Sequence, residues 1–573
     1  MAISFPIATA VREVLKEGYS WQIARQDILA GVTLGIIAVP LAMALAIASG
    51  VPPQYGLYTS LIAGALIALT GGSRLAVSGP TAAFVVILLP VTQTHGLGGL
   101  LLATLMAGIL LLLMGITGLG RLVQYIPAPV TLGFTAGIGV VIATLQLQDF
   151  LGLQISEQGE HYAEKLTHLI QALPSIHWPD MLVGCLVLTT LALWPRLKLA
   201  LPGHLPALLL GVCTAYALQL SGWQVATLGS EFSYTLADGT QGQGIPPVLP
   251  SFAWPWQLPN AQGEPLGLSW ALIQDLLPSA FTIALLGAIE SLLCALVADS
   301  LAGTRHNSNA ELIGQGLGNL AAPFFGGITA TGAIARTAAN VRAGGKTPFA
   351  AVFHALFVLC ALVFFAPALS YLPLSALAAL LLMVAWNMSE LPHLVRMLKV
   401  APRYDLWVLI TCFLLTILFD MVLAVSVGIV LAALLFMARM AQTTDVHKPQ
   451  AITDLALPEH VGLYRFQGPL FFAAAEKVLG RLQRVHTPVP VLILDMHTVT
   501  SLDITAMDML VPQLKHIQAE GTHLIICGLA PRLILKLRRA GLRKQGYLHF
   551  RRQLISARHL AISLLGDQGV HPT

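Results

Sequence analysis

Two ionisable residues stand where a chain rarely leaves them. Arg336 lies inside GGITATGAIARTAANV, residues 326–341, and Glu290 inside LLGAIESLLCALVAD, residues 285–299. Both stretches are otherwise small and apolar and read as membrane-spanning. A charge at the centre of a bilayer costs about 2.5–3.5 kcal/mol on insertion scales, so such residues face a pathway or a partner and mark function by default. A buried arginine suits an anionic cargo. A buried carboxylate can take up and release a proton. Two plainer readings stand beside these: Arg336 paired permanently with Glu290, or Arg336 reaching to the cytoplasmic interface. Pairing and proton coupling are compatible. Asp275 and Asp299 lie nearer segment ends and read as interfacial.

A second means of holding an anion lies in the same places. GGSRLAVSGPTAAFVVILLP, residues 71–90, and GGITATGAIARTAANV each open on a glycine pair followed by cap-forming residues. Ser78 can cap a helix beginning near Pro80, since proline suits a first helical turn. Thr329 or Thr331 can cap the second helix, with Gly332 permitting close approach. A helix that begins in mid-membrane leaves its first N–H groups unpaired and its positive dipole end at the centre. Two such ends facing each other make an anion site, and Arg336 adds a full positive charge beside it.

The elements that must position these residues are membrane spans. Of 573 residues, 10% are charged and 56% hydrophobic, and the mean hydropathy is +0.76. A soluble globular chain carries about 25% charged residues, so this chain is a polytopic membrane protein. The formal net charge of +4 and the lack of a basic cluster with interleaved aromatics give no reason to expect nucleic acid. The six cysteines show no metal-ligand spacing and read as free thiols, with no metal site and no cofactor. The first apolar run starts near Ile28, behind Arg12, Lys16 and Arg25, and is long enough to span; it predicts an anchor with residues 1–27 in the cytoplasm.

Apolar segments recur near 28–49, 55–70, 79–93, 98–118, 129–150, 181–194 and 205–220, then near 271–298, 311–325, 328–343, 348–366, 371–388, 405–419 and 421–440. Threaded from a cytoplasmic start, the inner loops carry Arg74, Arg121, Arg196 and Lys198, then Arg305, Arg342, Lys346, Arg396, Lys399 and Arg403. The outer loops at 94–97, 221–265 and 367–370 carry neither Lys nor Arg. Only the outer segment at 151–180 breaks the pattern, with Lys165. The bias predicts both termini inside. Seven spans starting inside followed by seven starting outside is an inverted repeat, over about 28–220 and 271–440. The third segment of each half is the short, glycine-interrupted one, which points to a binding site between them.

From about Ala441 the composition changes. YRFQGPLFFAAAEKVL reads as strand, turn, strand and helix; PVPVLILDM as a buried strand; SLDITAMDMLVPQLKHI as an amphipathic helix; THLIICGL and PRLILKLRRAGL as a strand and a helix. Alternation of this kind predicts an α/β sheet domain over 441–573. It carries no P-loop or dinucleotide fingerprint, and an enzyme is not expected.

Taken together these features resemble the SulP anion-transporter family (sulfate permease, solute-carrier family 26) over nearly the whole chain. The resemblance rests on IAVPLAMALAIASGVPPQYGLYTS, SGPTAAF, IES and AIARTAANV in the membrane part. In the tail, GPLFFAAAEKV and LDMHTVTSLDITAMDML are similar to the family's cytoplasmic STAS domain. It implies fourteen transmembrane segments in a seven-plus-seven inverted repeat, a core and a gate domain, and alternating access. It implies substrate contacts from Ser78, Gly79, Pro80 and Thr81 of the third span, Thr331, Gly332, Ala333 and Arg336 of the tenth, and Ala42 and Met43 of the first, with Glu290 as the coupling carboxylate. AALLLMVAWNMSE and ITATGAIARTAANVRAG resemble the family's bacterial C4-dicarboxylate carriers. That finer likeness implies proton-coupled uptake of succinate, fumarate or aspartate across the inner membrane. Cys294 stands where sodium-coupled members would carry a hydroxyl, and a thiol is a poor ligand for a hard cation, so protons are expected over sodium. The alternatives are transport of an inorganic anion (sulfate or bicarbonate) by the same fold, and, in another class, a passive anion channel or a membrane sensor. The implied partners are the small anion, the lipid bilayer, a second copy in a homodimer, and an unidentified cytoplasmic partner of the STAS domain. At Asp503-Ile504-Thr505 the tail lacks the hydroxyl pair of phosphorylated STAS domains; Thr505 alone could serve as a regulatory phosphosite, and an Asp503 helix cap is the plainer expectation.

Overall fold

The computed structural model describes residues 6–121, 126–155, 162–197, 202–235, 239–419, 421–448, 457–458, 460–485, 489–542 and 546–567. Lys198 lies outside them. The chain divides into two compact units, Met1–Ile429 and Val430–Thr573.

In the first unit a short helix α1 (Thr9–Glu17) precedes α2 (Trp21–Ala48) and α3 (Gln54–Thr70). A two-residue strand β1 (Ser78–Gly79) leads into α4 (Ala82–Ile116), followed by α5 (Ala128–Leu151), α6 (Tyr162–Ala172), α7 (Trp178–Leu193) and α8 (His204–Leu220). A polar excursion carries α9 (Leu228–Glu231) and the hairpin β2 (Ser233–Thr235) with β3 (Gln241–Gln243). The second half runs through α10 (Trp270–Ala302), α11 (Ser308–Ala321), β4 (Thr331–Gly332), α12 (Ile334–Arg342), α13 (Phe349–Leu369), α14 (Leu374–Met388), α15 (Leu391–Val400), α16 (Arg403–Leu418) and α17 (Met421–Thr443).

Gly96 breaks α4 into two arms. Its φ of 68° and ψ of −167° leave the helical region, and a Cβ there would run into the backbone of Asn260. The arms correspond to the third and fourth expected segments, so α2, α3, the two arms of α4, α5, α7 and α8 make seven runs. The seven from α10 to α14, α16 and α17 match them. The packing obeys the repeat. Exchanging the halves turns the α2–α13 contact into α10–α4, α3–α13 into α11–α4, and α5–α16 into α14–α7; α3–α11 and α5–α14 map onto themselves. All of these pairs are in contact. One group gathers α2, α3, α4 and α10 to α13; another gathers α5, α7, α8, α14 and α16. Small residues let the backbones close: a Cβ on Gly316 would sit 2.6 Å from the Leu112 nitrogen, and one on Gly108 2.7 Å from that of Leu320.

Three stretches outside the expected spans are helices: α1 in the N-terminal segment, and α6 and α15 in segments read as loops. The first and last are amphipathic and too short for a hydropathy window. α1 is fastened by Arg74, which pairs with both Glu13 and Glu17. The first span also begins earlier than Ile28, at Trp21, with Ser20 capping. Its polar start survives because Asp27, fully buried, accepts the N–H groups of Lys346 (2.8 Å) and Thr347 (3.2 Å) ahead of α13.

α17 continues helically past residue 441 to Thr443, and the division between the compact units falls inside it. The second unit then carries β5 (Asp445–His447), β6 (Val461–Gln467), α18 (Phe472–Val485), β7 (Val491–Asp495), α19 (Ile504–Ala519), β8 (His523–Cys527), α20 (Pro531–Arg539), β9 (Leu548–Arg551) and α21 (Leu554–Asp567). The sheet order is β5-β6-β7-β8-β9, parallel except for β5 against β6. A parallel strand covered on both faces reads as a continuous apolar run, as VLILD of β7 does. Leu492 and Leu494 face one core with Leu510, Leu514 and Leu537; Ile493 faces the other with Ala557 and Ala561. The second strand expected in YRFQGPLFFAAAEKVL is reduced to a single bridge, Leu470 to Leu502. The chain must turn there into α18, whose first N–H is already claimed.

The claimant is Asp503. Its Oδ1 accepts from Ala506 N at 2.8 Å, capping α19 as expected, and its Oδ2 accepts from Phe472 N at 2.8 Å, capping α18 as well. Thr505 is exposed beside it. Asp503→Ala is therefore expected to cost about 2 kcal/mol, near the upper end for a single cap, because one carboxylate serves two helices. Hydrogen exchange on the full chain checks this: amides in the first turns of α18 and α19 should both exchange about 30-fold faster. A change in α19 alone would deny the double cap.

Candidate substrate site

The two glycine-opened segments meet in the middle of the first unit. β1 and β4 pair antiparallel, Ser78 opposite Gly332 and Gly79 opposite Thr331. Each strand runs directly into a helix, α4 after Thr81 and α12 after Ala333, and no side chain caps either helix from its own N-terminal residue. The expected caps are used otherwise. Ser78 is a strand residue whose Oγ accepts from Gln315 Nε2 at 3.0 Å. Pro80 precedes the first helical turn. Thr329 Oγ1 bonds Thr104 Oγ1 at 2.7 Å, and Thr331 Oγ1 donates to the Gly287 carbonyl at 3.1 Å. The strand pairing displaces each helix start by a few residues, so the hydroxyls tie the strands to neighbouring helices instead. Both helix ends still open at the crossing, with the partial positive charge of unpaired N–H groups.

Arg336 occupies the first turn of α12 and is 3% exposed. Its Nη2 donates to the carbonyl of Pro80, across the crossing from its own strand. Among the described residues its Nε and Nη1 have no hydrogen-bond partner. The expected pair with Glu290 is not formed: Glu290 Oε2 accepts from Thr81 Oγ1 at 3.0 Å. A guanidinium carries five N–H donors in a fixed fork that matches carboxylate and oxyanion geometry. Here part of that fork is spent on the chain and part is left over. Gly79 keeps the approach open, since a Cβ there would strike Arg336 Nη1.

Two helices back the crossing. On α10, Cys294 Sγ lies 2.9 Å from Thr337 Oγ1, which also accepts from Val77 N at 2.9 Å. Gly332 rests on this helix, where an added Cβ would sit 2.9 Å from that of Cys294. On α11, Glu311, Gln315 and Asn319 fall at successive fourth positions and so share one face. Glu311 Oε2 accepts from Gly72 N and Ser73 N, both at 3.0 Å. Gln315 Nε2 bridges Glu311 Oε1 and Ser78 Oγ, each at 3.0 Å. Asn319 closes on Ala330, accepting from its N–H and donating to its carbonyl at 2.8 Å each. One helix face thus holds the approaches to both strands. The sequence reading missed these three; polar residues four apart in ELIGQGLGN were the available signal. Ala42 and Met43 are fully buried on α2, and the Ala42 carbonyl lies against Gly56 of α3. α2 also packs on α12 and α4.

A seven-plus-seven repeat with crossed half-helices and a C-terminal sheet domain has known relatives. The profile of the sulfate permease family matches residues 25–412. The chain belongs to that family. A STAS domain profile matches residues 454–555. Among similar proteins, "Putative sulfate transporter YvdB" of Bacillus subtilis is 40% identical over 93% of this chain and 97% of its own length. A bicarbonate transporter, BicA of Picosynechococcus, is 30% identical over 84% of each. The murine solute carrier 26 member A9, an anion transporter solved in an inward-facing state, shares the fold with a TM-score of 0.82 at 18% identity, over 96% of this chain and 94% of that one. The transmembrane domain of a cyanobacterial BicA aligns with a TM-score of 0.57 and 29% identity, over 72% of this chain and 98% of that one. This sulfate permease family member is therefore a multi-pass membrane protein with the helical transporter fold of that family and a C-terminal STAS domain. Its relatives here are named for sulfate and bicarbonate rather than for a dicarboxylate.

Proposed function

We propose that this protein is a secondary carrier of small anions, working by alternating access of the crossing to the two sides of a bacterial inner membrane, with both termini in the cytoplasm. The observation that carries the reading is the buried Arg336 fork, with two nitrogens unpartnered, beside two open helix N-termini. An anion there completes the guanidinium and lies on the positive ends of α4 and α12. Ser78, Gly79, Pro80 and Thr81 on one side and Thr331, Gly332 and Ala333 on the other form its walls. The relatives' names support an inorganic oxyanion, sulfate or bicarbonate, as cargo.

A second reading is proton-coupled uptake of C4-dicarboxylates, and one observation supports its proton coupling. Glu290 presents a carboxylate, held by Thr81, at the mouth of α4 rather than locked onto Arg336. A carboxylate with no direct hydrogen bond to Arg336 can load a proton on one side and release it on the other. Cys294, one helical turn further, is engaged with Thr337 and offers no oxygen to sodium. A homodimer and a cytoplasmic partner for the STAS domain belong to the same proposal.

Proteoliposomes with an inward proton gradient and no sodium test both readings, using counterflow of radiolabelled sulfate, bicarbonate and succinate. Sulfate or bicarbonate exchange without succinate establishes the first; succinate accumulation that collapses with a protonophore establishes the second. Exchange of none of the three removes the carrier assignment. Glu290→Gln is expected to abolish gradient-driven accumulation while leaving counterflow at equal pH within about threefold, because general proton transfer is lost and binding is kept. Gradient-driven accumulation surviving intact in that variant would move the proton elsewhere.

A further inference from the structure

Lys165, the cation that breaks the outer charge pattern, faces a cavity. The cavity, of about 230 Å³, is lined by Lys165 and His168 of α6, by Gln146, Gln148 and Asp149 near the end of α5, and by apolar residues of α2 and α4. Gln146 is 5% exposed. Among the described residues, neither its amide, nor the Lys165 ammonium, nor the Asp149 carboxylate has a hydrogen-bond or ion-pair partner. Burial pulls the Lys165 ammonium below its ordinary pKa, and among the described residues no carboxylate counters the effect. A buried amide and a half-buried charge without a partner among the described residues are costly unless something in the cavity meets them.

Its place in the fold is equally specific. Leu89, on the cavity wall, lies on the same arm of α4 as Thr81, about 12 Å further along at 1.5 Å per residue. Ile47 lies about one turn beyond Met43 on α2. Both helices lead from the crossing toward the outer loops, and α5 and α6 close the cavity from the second helix group. It sits between the two groups, on the outward side of the substrate site.

We infer that this cavity is an outer antechamber in which Lys165 and the amides of Gln146 and Gln148 capture a small oxyanion or carboxylate before it reaches Arg336. The inference rests on the carrier reading and on the inside placement of the N-terminus. Asp149, with Glu231 and Asp180 adding negative charge around it, opposes the captured anion. Capture is therefore weak, and the anion can leave inward, as conduction through successive sites requires.

Sidedness tests it. Radiolabelled sulfate, and succinate in parallel, are offered to sealed right-side-out and inside-out membrane vesicles bearing the full-length protein, and half-saturation is measured on each face. Lys165→Ala is expected to raise half-saturation from the outer face roughly three- to tenfold, as removal of a steering charge does, and Lys165→Arg to restore it. Asp149→Asn should lower it. Half-saturation from the inner face should stay the same in all three. Opposite shifts from opposite charges, on one face only, are not produced by a general loss of fold. No outer shift, or equal shifts on both faces, overturns the antechamber. Wild-type vesicles that move neither anion overturn the carrier reading, and the antechamber with it.

Discussion

Arg336→Ala should weaken anion transport by roughly two to three orders of magnitude in half-saturation, from either face of the membrane. Truncating one partner of a buried, hydrogen-bonded charge pair costs about 2–5 kcal/mol, and a tenfold change corresponds to about 1.4 kcal/mol. Two to three orders correspond to about 2.8–4.2 kcal/mol, the middle of that range, for an Arg336 that is almost wholly buried. Among the described residues, nothing else at the crossing carries a lysine or arginine side chain in its place: the remaining positive potential comes from the ends of α4 and α12, each equivalent to about half a charge. Arg336→Lys separates charge from shape. An ammonium keeps the charge but loses the planar fork, so it should recover about one order of magnitude and no more. The Pro80 carbonyl also loses its donor in the alanine variant, and folding must be read separately. Thermal unfolding in detergent does so. The wild type should gain stability with added anion as RT ln(1 + [L]/Kd), and Arg336→Ala should melt normally without anion and lose that gain. Unchanged half-saturation in a folded Arg336→Ala protein would end the anion-site assignment.

The second large effect is expected at a residue that touches no substrate. Glu311→Ala removes the acceptor of Gly72 N, Ser73 N and Gln315 Nε2 at once. Glu311 is 2% exposed, so water cannot replace it without opening the packing between α3 and α11. Leaving a buried donor unsatisfied costs about 1–3 kcal/mol, and three of them give a loss of roughly 3–6 kcal/mol if part of the penalty relaxes. The consequence extends to the site. Gln315, released from Glu311, no longer has its amide fixed against Ser78, and the register of β1 on β4 loses one of its anchors. Glu311→Ala should therefore show a much lower melting temperature and, in whatever fraction folds, weaker anion binding. Glu311→Gln keeps one carbonyl oxygen as acceptor and should fall between. Melting of the full chain in detergent, with counterflow on the same preparations, provides both readings. A Glu311→Ala protein within about 1 kcal/mol of wild type would mean that α11 does not hold the crossing.

The two predictions rest on residues of different legibility. Arg336 announced itself, because an isolated charge in an apolar stretch has few reasons to exist. Glu311, Gln315 and Asn319 did not, because ELIGQGLGN reads by hydropathy as the weak start of an ordinary span. Its polar face has meaning only once Gly72, Ser73, Ser78 and Ala330 are brought against it by chain segments more than two hundred residues away, or across a reversal of the chain. The expected caps failed for a related reason. Ser78 and Thr331 have cap chemistry, but a hydroxyl beside a helix start is also a strand residue if a second strand arrives, and only the meeting of the two halves supplies that strand. Asp503 worked the other way: its cap on α19 is local and was expected, whereas its second cap on α18 depends on a segment 31 residues earlier folding beside it.

The sequence by itself determined what depends on local composition and period. Long apolar runs had to become spans; the glycine-broken pair at matching places in two halves had to become the special segments; alternating short strands and amphipathic helices had to become an α/β tail. Tertiary structure decided what depends on long-range partners. It held Arg336 to the Pro80 carbonyl and Glu290 to Thr81 instead of to each other, and set Lys165 on a cavity with Gln146 and Asp149. The physical reason is the range of the interactions. Hydrophobic burial and helix propensity act along the chain and are written in its order, whereas a hydrogen bond forms only between groups within about 3 Å, and in a repeat that crosses itself those groups come from opposite halves of the repeat.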